Sequence, residues 1–260
     1  MKKTAFVILA TAILANAALF YYKPLGENFF IIADLVVMGL SLTAFIFGFL
    51  SYRMHGLKSI QGKALLFLSL GVLFWFFGES IWAYYEIVLG IEAPIASFAD
   101  LAWLVGYPLF AAGLFCEWKI TRMPLTANRK TAMLLLIIVA FCIAGWFGIA
   151  PTIASNEMGL TEKTVMVLYV IGDLLLIIGC MAVMISFYGS IFARQWSILT
   201  AAIIVSGVAD ILYAYLSVSY TTGSWIDLLW NIDYMLMAFG FFYYRQSIKE
   251  KLTKETELAK

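Results

Sequence analysis

Long apolar stretches, each followed by a short polar or Gly/Pro-containing segment, recur along the chain to about residue 245. A hydrocarbon core of about 30 Å needs about 20 apolar residues per helix, so each stretch is long enough to cross a bilayer. The pattern predicts an all-α, polytopic membrane protein with eight spans. With about 3 residues of tolerance at each end, the predicted spans are 4–22, 28–52, 62–90, 98–117, 131–150, 164–188, 195–218 and 225–245.

Polar and aromatic residues of the first half recur in the same order in the second half. Segments 97–107 and 224–234 both read S-x-x-D-L-x-W-x-x-x-Y, and ESIWAY at 79–84 matches DILYAY at 210–215. Each half therefore contains four predicted spans, and because four is even, the two halves form parallel repeats with an axis along the membrane normal. The expected divisions are repeat 1–123, repeat 124–245 and a charged cytoplasmic tail, 246–260.

The N-terminal segment 1–17 fits two descriptions. Two lysines, an apolar run and Ala15-Asn16-Ala17 are typical of a secretory signal with its cleavage site. The same residues form the first span of the first repeat. Since that repeat needs four spans to match the second, we expect the segment to be retained.

Basic residues are distributed unevenly between the connections, and this distribution predicts the orientation. Only Lys23 and Lys163 lie in one set of alternate connections. Because basic residues stay on the cytoplasmic side, we expect both termini in the cytoplasm and the protein in the plasma membrane. The residues assigned to the cytoplasmic side are Lys2, Lys3, Arg53, Lys58, Lys63, Lys119, Arg122, Arg129, Lys130, Arg194, Arg245, Lys249, Lys251, Lys254 and Lys260.

Composition excludes several classes of protein. The chain is 63% apolar and 13% charged, with a net charge of +1, which does not fit a soluble enzyme or a nucleic-acid-binding protein. Its single histidine, His55, lies in a connection, and its three cysteines form no CxxC pair, so no histidine or thiolate metal site and no cofactor is predicted. A site for Ca²⁺ or Mg²⁺ made of carboxylates alone stays open, although no ligand geometry is evident. No lysine lies in the middle of a span, which argues against a retinal Schiff base.

Acidic residues within the spans are the first candidates for chemistry, because each costs about 2.5–3.5 kcal/mol in a bilayer. Asp34, Glu79, Asp173 and Asp210 are expected in one layer of the outer leaflet, protonated, facing water or binding a cation. An alternative for Glu79 and Asp210 is an interhelical hydrogen bond of a protonated acid. Asp100 and Asp227 each lie three residues after a serine, so helix capping is the alternative for them. Asp233 has no counterpart in the first half, and its role stays open.

Tryptophan and tyrosine crowd the same predicted level. An interfacial aromatic belt explains them without any function. Acid and indole are nevertheless spaced i, i+3 three times, so they share a helix face and favour a pocket for an organic cation. The predicted ligand-binding residues are Glu79, Asp210, Asp34, Asp173, Asp100, Asp227, Trp82, Trp103, Tyr213 and Trp230.

Three segments carry a resemblance to a known group of proteins. FADLAWLVGYPLFAAGLF at 98–115, ADILYAY at 209–215 and IDLLWNIDYMLMAFGFF at 226–242 resemble the multi-helix membrane sensor regions that precede GGDEF, EAL and histidine-kinase output domains. The resemblance implies a sensor of signals in or outside the membrane. No output domain follows the last span, so we expect a sensor that acts through a cytoplasmic partner or a piece of a larger protein.

Two alternative functions remain. The segment GDLLL at 172–176 is similar to lysoplasmalogenase-like eight-helix membrane hydrolases, which implies paired carboxylates that activate water on a lipid ether or ester. The duplication and the intramembrane acids also allow a secondary transporter, although helices broken by Gly or Pro are not evident. We expect a non-enzymatic sensor or receptor-like module for a small, cationic ligand or a proton.

Overall fold

In the computed structural model, the described residues 2–121, 126–216 and 219–258 contain helices and no strand. Two π-helical segments, Tyr84–Val88 and Ala144–Ile149, continue the third and fifth helices. The α-helices are α1 (Lys2–Tyr22), α2 (Phe29–Tyr52), α3 (Ile60–Ala83), α4 (Phe98–Thr121), α5 (Ala127–Ile143), α6 (Ala150–Ala154), α7 (Leu160–Ser186), α8 (Ala193–Leu216) and α9 (Asp227–Leu258).

The prediction of an all-α, multi-pass membrane protein is confirmed. Within the described residues, seven helical segments are long and apolar enough to cross a bilayer, and they match the first seven predicted spans. The eighth span corresponds to α9, which is 32 residues long but more polar, since it carries Asn231, Asp233 and a charged C-terminal part. Met1, Arg122, Lys260 and the predicted repeat boundary at 123/124 lie outside the described residues.

Six helices form a closed ring. α2, α3, α4, α7, α8 and α9 pack against one another in chain order, and α9 packs back against α2. The two remaining long helices are peripheral, since α1 packs on α9 and α5 packs on α7. No described residue of α5 is buried, whereas α3 and α8 each bury a full face, so the ring holds the interior of the protein.

Close helix approach depends on glycine in this ring. A Cβ atom on Gly113 of α4 would lie 2.7 Å from Leu68 of α3, and one on Gly240 of α9 would lie 2.6 Å from Leu199 of α8. Such contacts are typical of membrane helices, where small residues let backbones approach and dispersion replaces the hydrophobic effect. The middle of the ring is consequently a packed apolar core around fully buried residues such as Leu65, Val72 and Trp196.

The bundle has two unlike ends. At one end lie the start of α1, the end of α9 and the connections α2–α3 and α7–α8; at the other, here called the distal end, lie the connections α1–α2, α3–α4 and α8–α9. The predicted acids of α3 and α8 fall in the last turns of helices that run toward the distal end. The site residues are therefore positioned in one layer by helix direction alone.

Candidate ligand-binding cavity

A cavity of about 100 Å³ lies inside the ring near the distal end, with side chains from all six ring helices around it. This is well above the roughly 10–15 Å³ that a cavity needs to hold one water molecule, so the cavity is large enough for more than one. Nine of the ten residues predicted from the sequence line it, and those nine are Asp34, Glu79, Trp82, Asp100, Trp103, Asp210, Tyr213, Asp227 and Trp230.

Glu79 of α3 lies between α4 and α9. Its Oε1 atom accepts a hydrogen bond from the Tyr234 hydroxyl at 2.6 Å and from Trp103 Nε1 at 3.3 Å. Trp103 reaches this position because the residue opposite it is Gly78, where a Cβ atom would lie 2.4 Å from the indole nitrogen. Interhelical hydrogen bonds of Glu79, the alternative to a ligand-binding role, are thus present with Glu79 as the acceptor, and they join helices from both halves of the chain.

Asp210 of α8 has an equivalent arrangement. Its carboxyl group accepts a hydrogen bond from Trp230 Nε1 at 2.8 Å, and the Tyr107 hydroxyl lies 3.5 Å away. Tyr107 makes its shorter hydrogen bond, at 2.8 Å, to Asp173 of α7. Glu79 and Asp210 therefore each lie beside one indole group from their own half of the chain and one phenol group from the other half.

Asp173, the tenth predicted residue, lies behind the cavity wall. It is buried, and it accepts a hydrogen bond at 2.8 Å from the Tyr107 hydroxyl, which also lies 3.5 Å from Asp210. Asp173 and Asp210 are therefore neighbours around one phenol group. Two carboxyl groups can hydrogen-bond each other only when one of them carries a proton, so protonation of either acid would join this pair.

A second carboxyl pair lies across the ring. Asp34 of α2, which is 2% exposed, lies beside Glu86 in the π-helical segment after α3. Asp34 Oδ2 and Glu86 Oε2 are buried, and neither receives a hydrogen bond from an N–H or O–H group of the described protein. These acceptors need a proton or a cation, because a buried acceptor without a partner costs about 1–3 kcal/mol.

Asp100 and Asp227 lie in the first turns of α4 and α9, and each accepts a hydrogen bond from the loop that precedes its helix. Asp100 accepts hydrogen bonds from the Ser97 backbone N–H at 2.8 Å and from the Tyr169 hydroxyl at 2.9 Å, so the capping alternative is confirmed for it. Asp227 accepts hydrogen bonds from the Gly223 backbone N–H and, at 2.6 Å, from the Tyr220 hydroxyl. Both acids combine a capping contact with a place on the cavity wall.

A row of aromatic rings runs between Glu79 and Asp210. Trp75 lies between Tyr107 and Tyr234, with ring centroids 5.9 and 6.2 Å apart. Its indole N–H donates to the Trp103 carbonyl oxygen, and Gly106 provides the space for its ring. The row Tyr107–Trp75–Tyr234 thus ends near Asp210 on one side and near Glu79 on the other.

Several residues that line the cavity are absent from the predicted site. Tyr107 and Tyr234 belong to the predicted group of interfacial aromatic residues, although each lies four residues after Trp103 or Trp230 and so shares its helix face. Trp75 and Tyr169 carry a similar sequence signal, because each lies four residues before a predicted acid, Glu79 or Asp173, and so shares its helix face. Asp233 is buried against Ser206 and does not line the cavity.

The α8–α9 connection covers part of the cavity. Thr222 donates a hydrogen bond to Glu86 at 2.7 Å and accepts one from Trp82 Nε1 at 3.3 Å. Gly223 adopts a φ of +88°, and a Cβ atom there would lie 2.9 Å from the Phe29 ring. The connection is therefore held against the α3 end and against α2 by specific contacts.

The charge of the cavity is one-sided. No Lys, Arg or His is among the described residues that line it, and the described His, Cys, Asp and Glu side chains form no group of three that fits a metal ion. Carboxylates beside exposed aromatic faces stabilise an organic ammonium group by ion pairing and by cation–π contact. The arrangement is suited to a small organic cation.

A separate polar cluster lies near the other end of the bundle. The Tyr244 hydroxyl of α9 lies 2.5 Å from His55 Nε2, and Gln61 of α3 donates a hydrogen bond to buried Glu117 of α4. His55 lies in the α2–α3 connection, outside the spans, and its burial lowers its pKa below 6.5. The Tyr244 hydroxyl donates this hydrogen bond when the Nε2 atom of His55 carries no proton.

Comparison with known proteins found no match for this chain. The chain matches no protein-family model, no curated protein and no solved structure. Its function is consequently argued from the cavity itself.

Proposed function

We propose that this protein is a membrane sensor or receptor-like module that binds a small organic cation in the distal cavity. One observation carries the proposal: nine of the predicted acidic and aromatic residues, from five helices, line a single cavity that no described basic residue enters. Keeping several buried acids together in a bilayer is costly, and such acids are by default functional candidates.

Ligand binding couples the two halves of the chain. Glu79 of α3 is bonded by Tyr234 of α9, and Asp210 of α8 is approached by Tyr107 of α4, so a cation at either acid acts on both halves. The ring contacts repeat in the same order, with α2–α3–α4 followed by α7–α8–α9, which supports the predicted duplication. In our proposal the halves shift relative to each other and move α9, whose C-terminal part addresses a cytoplasmic partner.

The orientation in this proposal follows the positive-inside rule. Both termini are cytoplasmic, the distal end faces outward and the membrane is the plasma membrane. The ligand therefore reaches the cavity from outside the cell or from the outer leaflet.

Thermal unfolding in detergent tests the proposal. Wild type is compared with the double variant Glu79→Gln/Asp210→Asn over a panel of small ammonium compounds at pH 5–8. We expect wild type to unfold at a higher temperature in the presence of a cation, because a ligand that binds only the folded state stabilises it. The double variant should lose this shift while melting as high as the unliganded wild type or higher.

The experiment has a matched control and a clear contrary outcome. Glu157→Gln removes an exposed acid from the α6–α7 connection and should leave the ligand-dependent shift unchanged. If the double variant melts lower and no compound shifts either protein, the carboxylates only join helices and the proposal is wrong.

One observation favours a hydrolase as the second candidate. Asp173 and Asp210 lie around one phenol group, that of Tyr107, so a proton on one acid would make it a donor and the other an acceptor, as general acid–base hydrolysis of a lipid vinyl ether requires. The purified protein would then release an aldehyde from such a lipid, and Asp173→Asn would abolish that release. An inactive wild type under conditions where a cation binds would leave the sensor as the remaining candidate.

A further inference from the structure

We propose that the cavity selects a small linear diamine, with one ammonium group bound at Glu79 and the other at Asp210. The inference rests on the proposed function and adds the charge and shape of the ligand. Its basis is the placement of two equivalent carboxylates at opposite ends of one aromatic row.

The other acids of the cavity are placed differently. Asp34 lies on the cavity wall of α2 and not at an end of the aromatic row. Asp100 and Asp227 lie in the first turns of α4 and α9, where helix dipoles favour negative charge, and each accepts a backbone N–H. These acids add negative charge to the wall, but the aromatic row does not join any two of them.

Glu79 and Asp210 differ from them in position and partners. Both lie near the C-terminal ends of α3 and α8, where helix dipoles do not favour negative charge, and their donors are indole and phenol groups, which orient a carboxylate without neutralising it. A buried carboxylate is stable only when it is paired with a positive charge or protonated. One monovalent cation can pair with one of the two, whereas a diamine pairs with both.

The surface between the two acids suits an aliphatic linker. Tyr107, Trp75 and Tyr234 form a continuous row from the Asp210 end to the Glu79 end. All three rings line the cavity, and methylene groups gain dispersion contact on such rings without a need for hydrogen bonds. Charges at the two ends and apolar surface between them match the pattern of a linear diamine.

The two ends are also built from corresponding residues. Trp103 and Trp230 occupy matching positions in the repeated segment, as do Tyr107 and Tyr234, and each end uses one of each. Two equivalent ends favour a ligand with two equivalent groups.

Titration calorimetry of the full chain in detergent, with 1,4-diaminobutane and butylamine as probes, tests the inference. The two probes share a four-carbon chain and differ in one ammonium group. We expect wild type to bind the diamine at least about tenfold more tightly. Glu79→Gln and Asp210→Asn should each reduce diamine affinity to about that of butylamine while changing butylamine affinity by less than about threefold, and Glu157→Gln should change neither.

A length series provides the test without variants. Two fixed carboxylates define one span, so affinity of wild type for 1,3-diaminopropane, 1,4-diaminobutane and 1,6-diaminohexane should pass through a maximum. Equal binding of butylamine and the diamines would overturn the dication inference and leave the cation site intact. If neither amine binds wild type while the protein remains folded, the proposed function fails together with the inference.

Discussion

The six-helix ring encloses two different interiors along its length. Its middle is filled by apolar side chains, and the small void between Leu68, Phe110 and Trp196 measures about 20 Å³. The distal layer holds acids, tyrosines and tryptophans around about 100 Å³ of empty space. The same six helices thus pack tightly in one layer and leave an acid-lined cavity in the next.

This difference separates stability from function. In a bilayer, helix association depends on close packing, and the filled layer provides that packing. The distal layer sacrifices contacts and carries acids that are expensive in the membrane, so its residues are not explained by stability. Substitutions in the two layers should therefore have opposite consequences.

The largest effect is expected in the filled layer. Leu65 is fully buried in α3, and Leu65→Ala should lower the free energy of unfolding by about 2–5 kcal/mol because a void remains where the side chain was. Leu35→Ala on the exposed face of α2 is the matched control and should change little. Unfolding of purified protein in mixed micelles measures both, and equal losses would contradict a ring-centred core.

The next effect concerns the boundary between the layers. A Cβ atom on Gly106 would lie 2.5 Å from the Trp75 indole, so Gly106→Ala should displace the ring toward the cavity and cost about 1–3 kcal/mol. The same substitution at Gly39, which has open space around it, should be neutral or stabilising. Thermal unfolding with a tryptophan emission spectrum distinguishes them, and an unchanged spectrum in Gly106→Ala would contradict the packing of Trp75.

Within the distal layer, two acids should respond in opposite directions. Asp34→Asn places an amide N–H donor beside Glu86 and removes an ionisable group. The free energy of unfolding should therefore rise by about 0.5–2 kcal/mol. Asp100→Asn weakens the contacts with Ser97 and Tyr169 and should lower stability by about 1 kcal/mol. The comparison uses unfolding free energies at pH 7, and a loss in both variants would mean that the Asp34 pair is structural.

The smallest effect belongs to the polar cluster near the opposite end. Burial lowers the pKa of His55 below its usual 6.5, so the unfolded chain binds the proton more readily. The contribution of His55 is fully present above pH 6.5 and is lost as the pH falls below that value. His55→Gln should remove this part of the pH dependence while the part due to the cavity acids persists; identical profiles would contradict a buried neutral histidine.

The helices and most residues of the candidate site can be predicted from the sequence, whereas the way the helices pack around the site cannot. Apolar length predicts a span, and the i, i+3 spacing of Glu79 and Trp82 predicts a shared helix face. These two signals are enough to identify nine of the residues that line the cavity. Hydropathy does not reveal that α1 and α5 lie outside the ring, because lipid-facing and buried helices in a membrane are equally apolar. The hydroxyl donors Tyr107 and Tyr234 emerge only from packing, since each serves an acid of the other half.

Helix α9 has a mechanical consequence. It runs without interruption from Asp227 at the cavity to Leu258, and the part beyond Tyr234 extends about 36 Å at 1.5 Å per residue. A rod of that length converts a tilt of about 5° at the cavity into about 3 Å of travel at its tip. A small change in the tilt of α9 at the aromatic rings of the cavity therefore moves the other end of the helix by about the length of a hydrogen bond.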